Sequence, residues 1–107
     1  MELTVEFGLK IIRYAELLQA HKNFVLANQL LRSGTGIGAN IREAQNAESK
    51  IDFIHKMKIA AKEADETEYW LLLCSRSPGY PDCEELLTIC ASIVKILSKI
   101  ISSSKSN

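Results

Sequence analysis

Residues 30–44, LLRSGTGIGANIREA, carry three glycines, Gly34, Gly36 and Gly38, between two segments of helical character. Each glycine inside a helix costs about 1 kcal/mol relative to alanine, which on propensity alone favours a loop. Leu30, Ile37, Ile41 and Ala44 nevertheless keep helical spacing across the segment, with Gly34 filling the turn between Leu30 and Ile37. The spacing predicts one long helix over residues 24–47, whose small side chains let a neighbouring helix approach closely. Gly34-Thr35-Gly36-Ile37-Gly38-Ala39 also matches the dinucleotide fingerprint G-x-G-x-x-A. That motif works only between a strand and a helix of a βαβ unit, where it brings backbone up to a pyrophosphate. Neither FVLANQLL before it nor the segments after it supply a parallel sheet, so no cofactor is expected.

On the N-terminal side, Phe7, Ile11, Tyr14 and Leu18 recur at steps of three and four, and Val5, Ile12 and Ala15 widen the stripe. A helix over residues 4–20 follows, with Lys10, Arg13 and Glu16 on its far side, and His21, Lys22 and Asn23 break it. On the C-terminal side, Ser49 caps a third helix over residues 50–75, with Asp52 in its first turn. Its buried stripe runs through Phe53, Ile54, Met57, Ala60, Ala64, Thr67, Leu71 and Cys74 until SPGYP, residues 77–81, stops it. Asp82 caps a fourth helix, with Glu84 and Glu85 at its start, Lys95 and Lys99 toward its end, and a stripe of Leu86 or Leu87, Cys90, Ile93 or Val94, Leu97, and Ile100 or Ile101. Short connections force successive helices to return on one another. The fold class expected is all-α: an antiparallel up-down-up-down four-helix bundle in one domain, residues 1–101, with residues 102–107, SSSKSN, as a disordered tail.

A chain of 107 residues buries about two-thirds of its unfolded surface, enough for a core without staples. Thirteen basic side chains balance thirteen acidic ones, so no strongly basic face of the kind an obligate nucleic-acid binder needs is expected. Cys74, Cys83 and Cys90 lack C-x-x-C spacing and a nearby pair of histidines, which fits reduced, buried thiols in a cytoplasmic protein and no zinc site. The N-terminus has acids before any base and no signal-peptide pattern, and no uninterrupted apolar run reaches the roughly 18 residues of a membrane span.

Catalysis would require a nucleophile beside a base or paired carboxylates in a pocket, and the sequence offers neither. His21 sits in a polar turn and His55 among lysines, both read as surface residues. The acids Glu63, Asp65, Glu66 and Glu68 lack the E-x-x-H signature of di-iron bundles and read as a solvated or salt-bridged face. Lys50, Lys56, Lys58 and Lys62, with His55, form a mild basic patch at the start of the third helix, a possible nucleic-acid-binding surface. Tyr69 and Trp70 are adjacent, so at most one points fully inward and the other is available to an oligomer contact.

Residues 29–45, QLLRSGTGIGANIREAQ, with residues 50–72, resemble the four-helix-bundle proteins first noticed as intervening-sequence proteins encoded inside bacterial 23S ribosomal RNA genes. The family pattern Q-L-x-R-(S/A) falls on Gln29, Leu30, Arg32 and Ser33, and S-I-x-x-N-I-x-E-(G/A) on Ile37, Asn40, Ile41, Glu43 and Ala44. F-x-x-x-L-x-I-A falls on Phe53, Met57, Ile59 and Ala60, and E-x-E on Glu66 and Glu68. Gly36 replaces the usual serine, Ala44 the common glycine, and Glu63 a usual small residue. The resemblance implies a left-handed antiparallel bundle that assembles as a ring-like homopentamer, and it implies no established enzymatic activity. A related group, the accessory variability determinants of diversity-generating retroelements, is similar in fold and binds nucleic acid and a reverse transcriptase.

The expected function is therefore that of a non-enzymatic self-assembling scaffold or interaction protein, with no small-molecule substrate, metal, cofactor or membrane. The alternative is an RNA- or DNA-binding accessory protein acting through a surface assembled from several subunits. Arg32, Asn40, Arg42, Glu43, Glu66 and Glu68 are the candidate residues for helix register or subunit contact, with Arg32 or Asn40 pairing Glu66 or Glu68 in a partly buried network.

Overall fold

The computed structural model describes residues 1–105, which form α1 (Glu2–Ala20), α2 (Phe24–Gln45), α3 (Lys50–Arg76) and α4 (Glu84–Lys105) and no strand. The helices give a body of 47 × 20 × 19 Å, long in the direction of the helix axes. α2 runs unbroken through its three glycines and ends at Gln45, two residues short of the expected boundary. Ser49 caps α3 as its sequence suggests, its hydroxyl accepting the Asp52 amide at 3.0 Å. α4 starts at Glu84 rather than Asp82, whose carboxylate lies just outside the helix and accepts the Glu84 amide at 3.4 Å.

At its other end α4 continues to Lys105, through four of the six residues read as a disordered tail. Ile100 and Ile101 pack against the core, and the Ser104 hydroxyl donates to the Ile100 carbonyl at 2.8 Å, so the apolar stripe carries the helix onward. Ser106 and Asn107, the rest of that segment, lie outside the described residues. α4 is also apolar and long enough to cross a membrane by length and composition, with a mean hydropathy of 1.7 over its most apolar window. Lys95 and Lys99 interrupt the run without removing this property. In the fold its Leu86, Cys90, Ile93 and Leu97 stripe lies in the core.

The turns are short and specific. Lys22 adopts φ 63°, the left-handed region that costs a non-glycine residue about 1–2 kcal/mol. This bend lets the Lys22 and Asn23 amides reach back to the carbonyls of Gln19 and Leu18 at 2.9 and 2.8 Å. The longer α3–α4 connection makes the equivalent bend at Gly79, φ 83°, without that penalty.

Phe7, Ile11, Leu18, Leu30, Ile37, Leu71, Ile93 and Leu97 are fully buried and draw on all four helices. α2 packs against α1 and α3, and α3 against α4. α1 and α4 share only a short seam, where Lys10 pairs with Glu85 at 2.7 Å, and beside it the Tyr14 hydroxyl donates to the Pro81 carbonyl of the α3–α4 connection at 2.6 Å. Along the α2–α3 contact, Ser33 meets Thr67, Gly36 meets Glu63 and Glu43 meets Lys56, so partner numbers fall along α3 as they rise along α2. Val5 and Ile12, expected to widen the core stripe, are instead 48% and 39% exposed and border an outer groove between α1 and α2.

Close helix approach is needed at one glycine above the others. A Cβ on Gly34 would stand 2.8 Å from Cγ2 of Ile11, a β-branched side chain with no exposure. On Gly36 it would meet a Glu63 carboxylate oxygen at 2.6 Å, the movable end of a flexible side chain, and on Gly38 it would make ordinary contact with Thr4 at 3.6 Å.

Cys74, Cys83 and Cys90 are free and buried. The Cys83 thiol donates to the Leu71 carbonyl at 3.3 Å and the Cys90 thiol to the Ala64 carbonyl at 3.4 Å. Burial raises all three thiols above the ordinary range, and pushes Cys90 up to about 12, aided by the charges of Glu68 and Asp65.

Two outcomes are expected. In thermal melts Gly34→Ala falls below wild type, because overpacking at a buried site costs about 1–3 kcal/mol against about 1 kcal/mol of helix propensity gained. Gly38→Ala rises above wild type, and a Gly34→Ala protein as stable as Gly38→Ala would show that Ile11 has room to move. Second, the native thiols resist iodoacetamide at pH 8 and react on denaturation. Because their folded pKa values are raised, the stability they contribute is complete below the ordinary thiol value of 9.0 and is lost as pH climbs toward the Cys90 value of about 12. Urea midpoints that hold steady from pH 8 to 11 would contradict this.

Candidate functional site

The seam between α2 and α3 gathers most of the polar residues singled out in the sequence. At its centre the Thr67 hydroxyl donates to Ser33 Oγ at 2.8 Å, sharing its one hydrogen with the Glu63 carbonyl at 2.7 Å, while Ser33 donates to the Gln29 carbonyl at 3.0 Å. Both residues are fully buried, and every donor has an acceptor, which is the condition for burying hydroxyls cheaply. Periodicity placed Thr67 on the buried stripe but gave no sign that it would meet Ser33.

Just outside this pair, Arg32 reaches across to α3. Its guanidinium donates to the Glu66 carboxylate, lies 3.6 Å from Glu63, and bonds Gln29 Oε1 of its own helix at 2.9 Å. The Trp70 indole N–H donates to the same Glu66 carboxylate at 3.4 Å, and Tyr69 meets Trp70 edge to face with ring centroids 5.3 Å apart. Tyr69 is 54% exposed whereas Trp70 packs on the core, so the two divide as adjacent residues on a helix must. Arg32 is itself half-exposed, which limits each of its ion pairs to a small contribution.

The other candidates separate. Asn40 turns its amide back to the Gly36 carbonyl at 2.8 Å, within α2, rather than to Glu66 or Glu68. Glu68, two residues beyond Glu66, projects its charge toward Cys90 of α4, because two helical steps rotate a side chain by about 200°. Glu43 pairs with Lys56 at 3.1 Å, a second α2–α3 bridge. Arg42, in the last turn of α2, borders the groove against α1.

The basic patch is likewise divided. Lys56 is committed to Glu43, Lys50 occupies the first turn of α3, and Lys62 is exposed farther along. Lys58 lies beside Lys105 of α4, whose approach and positive charge hold the Lys58 amine below the usual lysine range. Among the described residues no three His, Cys, Asp or Glu side chains are grouped to hold a metal ion.

A family model for the 23S rRNA-intervening sequence protein matches residues 1–102. Among solved structures, a protein of unknown function from the S23 ribosomal protein family of Bacteroides thetaiotaomicron is similar at 46% identity. The match covers 94% of this chain and 95% of that one with a TM-score of 0.87. No curated protein matches. With nearly the whole length matched by both, this chain belongs to the 23S rRNA-intervening sequence protein family.

Proposed function

We propose that the protein is a non-enzymatic scaffold that assembles with copies of itself into a homopentameric ring. The bundle within each copy is antiparallel, up-down-up-down and left-handed; the opposed order of α2 and α3 partners supports the first part of that reading. The observation that carries the assembly is the presence of exposed apolar side chains on two different faces. Met1, Val5, Leu9 and Ile12 edge a groove of about 280 Å³ floored by Gly8, Gly38 and Ala39, and Tyr69, Leu72 and Leu73 stand out from the last turns of α3. A ring requires two unlike faces that fit one another, since each subunit meets its neighbours head to tail. Exposed apolar area of this kind marks protein contacts more often than bare surface. Arg32 with Glu66, and Glu43 with Lys56, fix the α2–α3 register inside the subunit, with Asn40 bonded to Gly36 on the same face of α2, and Arg42 borders the assembling surface. The three buried free thiols support a cytoplasmic, reducing location.

Light scattering after size exclusion should give the mass of five 11.9 kDa chains. The double substitution Val5→Glu and Leu9→Glu should reduce it to one, with helical circular dichroism retained. A single-chain mass for the wild type at every concentration tested would exclude the ring. For the register role, Arg32→Met should cost at most about 1 kcal/mol in urea melts, and the deficit should shrink in high salt; a deficit unaffected by salt would mean that Arg32 acts through its packing instead.

A further inference from the structure

The last turn of α4, which the sequence reading assigned to the tail, brings one more lysine to the first half of α3. Ile51, Ile54, His55, Lys58 and Lys105 line a surface depression of about 330 Å³ between the two helices. Lys58 and Lys105 line the same depression, and neither takes part in the ion pairs among the described residues. His55 precedes Lys58 by three residues, so its imidazole shares that face of α3.

Like charges repel, and two ammonium groups held side by side with an imidazole at hand are a poor arrangement unless something of opposite charge stands between them. A tetrahedral oxyanion is suited to the place. Its several oxygens accept from two lysines and a histidine together, and lysine acts as a compact point-charge donor toward phosphate. The isoleucines form one apolar wall of the depression and leave these three side chains as its polar groups.

We propose that the α3–α4 depression is a binding site for a phosphate group, held by Lys58 and Lys105 with His55 as the third donor. The site lies on a single subunit and does not require the ring. Lys50, Lys56 and Lys62, the other lysines of the sequence patch, take no part in it. The phosphate could belong to a small phosphorylated compound or to a nucleic-acid backbone, and the two sources are separable.

The test is an NMR titration of the full chain, first with inorganic phosphate and then with a short single-stranded oligouridylate. Inorganic phosphate should produce saturable shifts in the Lys58 and Lys105 side chains and the His55 ring. The double variant Lys58→Gln, Lys105→Gln should bind roughly tenfold more weakly or worse, as expected when charged hydrogen bonds are lost. Lys62→Gln should match wild type. Both positions are exposed, and melting of the variants checks that they remain folded. If the oligonucleotide competes for the same resonances, in a manner that weakens steeply with salt, the source is a nucleic-acid backbone; if only phosphate saturates, it is a small phosphorylated compound. Absence of saturable shifts at these three residues, or a double variant that binds phosphate as tightly as wild type, overturns the site.

Discussion

Ile11 rests on the backbone of Gly34 with less room than a methyl group requires, and this contact sets how near α1 lies to α2. The residue before it, Ser33, faces the other way and carries the buried hydroxyl bond to Thr67 of α3. Two consecutive positions on one helix, about 100° apart, thus fasten two different neighbours. One fastening works by the absence of a side chain and is tolerant of nothing larger. The other works by two polar atoms that must meet, because a buried hydroxyl without a partner costs more than the bond returns. α2 is therefore the helix on which the spacing of α1 and α3 is referenced.

Much of this was legible beforehand. The i, i+3, i+4 recurrence of Leu30, Ile37 and Ile41 carried α2 through three glycines against their propensity, and the structure has a continuous helix there. Periodicity reports the angle of a residue around its helix, however, and not how deeply the neighbouring helices cover that angle. Val5 and Ile12 lie at the edge of the apolar arc of α1, and the open groove between α1 and α2 leaves them uncovered. The same limit explains the candidate site. Glu66 and Glu68 share a motif in sequence, but one faces α2 and the other α4. Composition alone does not join Lys105 to Lys58: three serines in a row read as tail, whereas Ile100 and Ile101 anchor a further turn of helix there.

Charge in this protein is organised face by face. A net charge of zero is compatible with local imbalance. Along the α2–α3 seam the charges are paired: Arg32 with Glu66 and Glu63, and Lys56 with Glu43. Across the α3–α4 depression they are alike. The first arrangement links α2 to α3 and contributes modestly to stability; the second is mildly unfavourable to the isolated chain. Local groupings that oppose stability are where a partner has most to offer, since the free energy of binding includes relief of the repulsion.

The narrow α1–α4 seam bears on how the chain folds. Nearly every other interhelical contact joins helices that are consecutive in sequence, so hairpins can form locally and add to one another, the topology associated with folding in microseconds to milliseconds. Lys10 to Glu85 and Tyr14 to Pro81 span separations of 75 and 67 residues. Closing them restricts most of the chain at once, so that seam carries the largest loop entropy in the molecule. The two terminal helices, α1 and α4, are accordingly each held by one extensive neighbour and by the weak seam they share, so either can undock while the remaining three stay joined in sequence order.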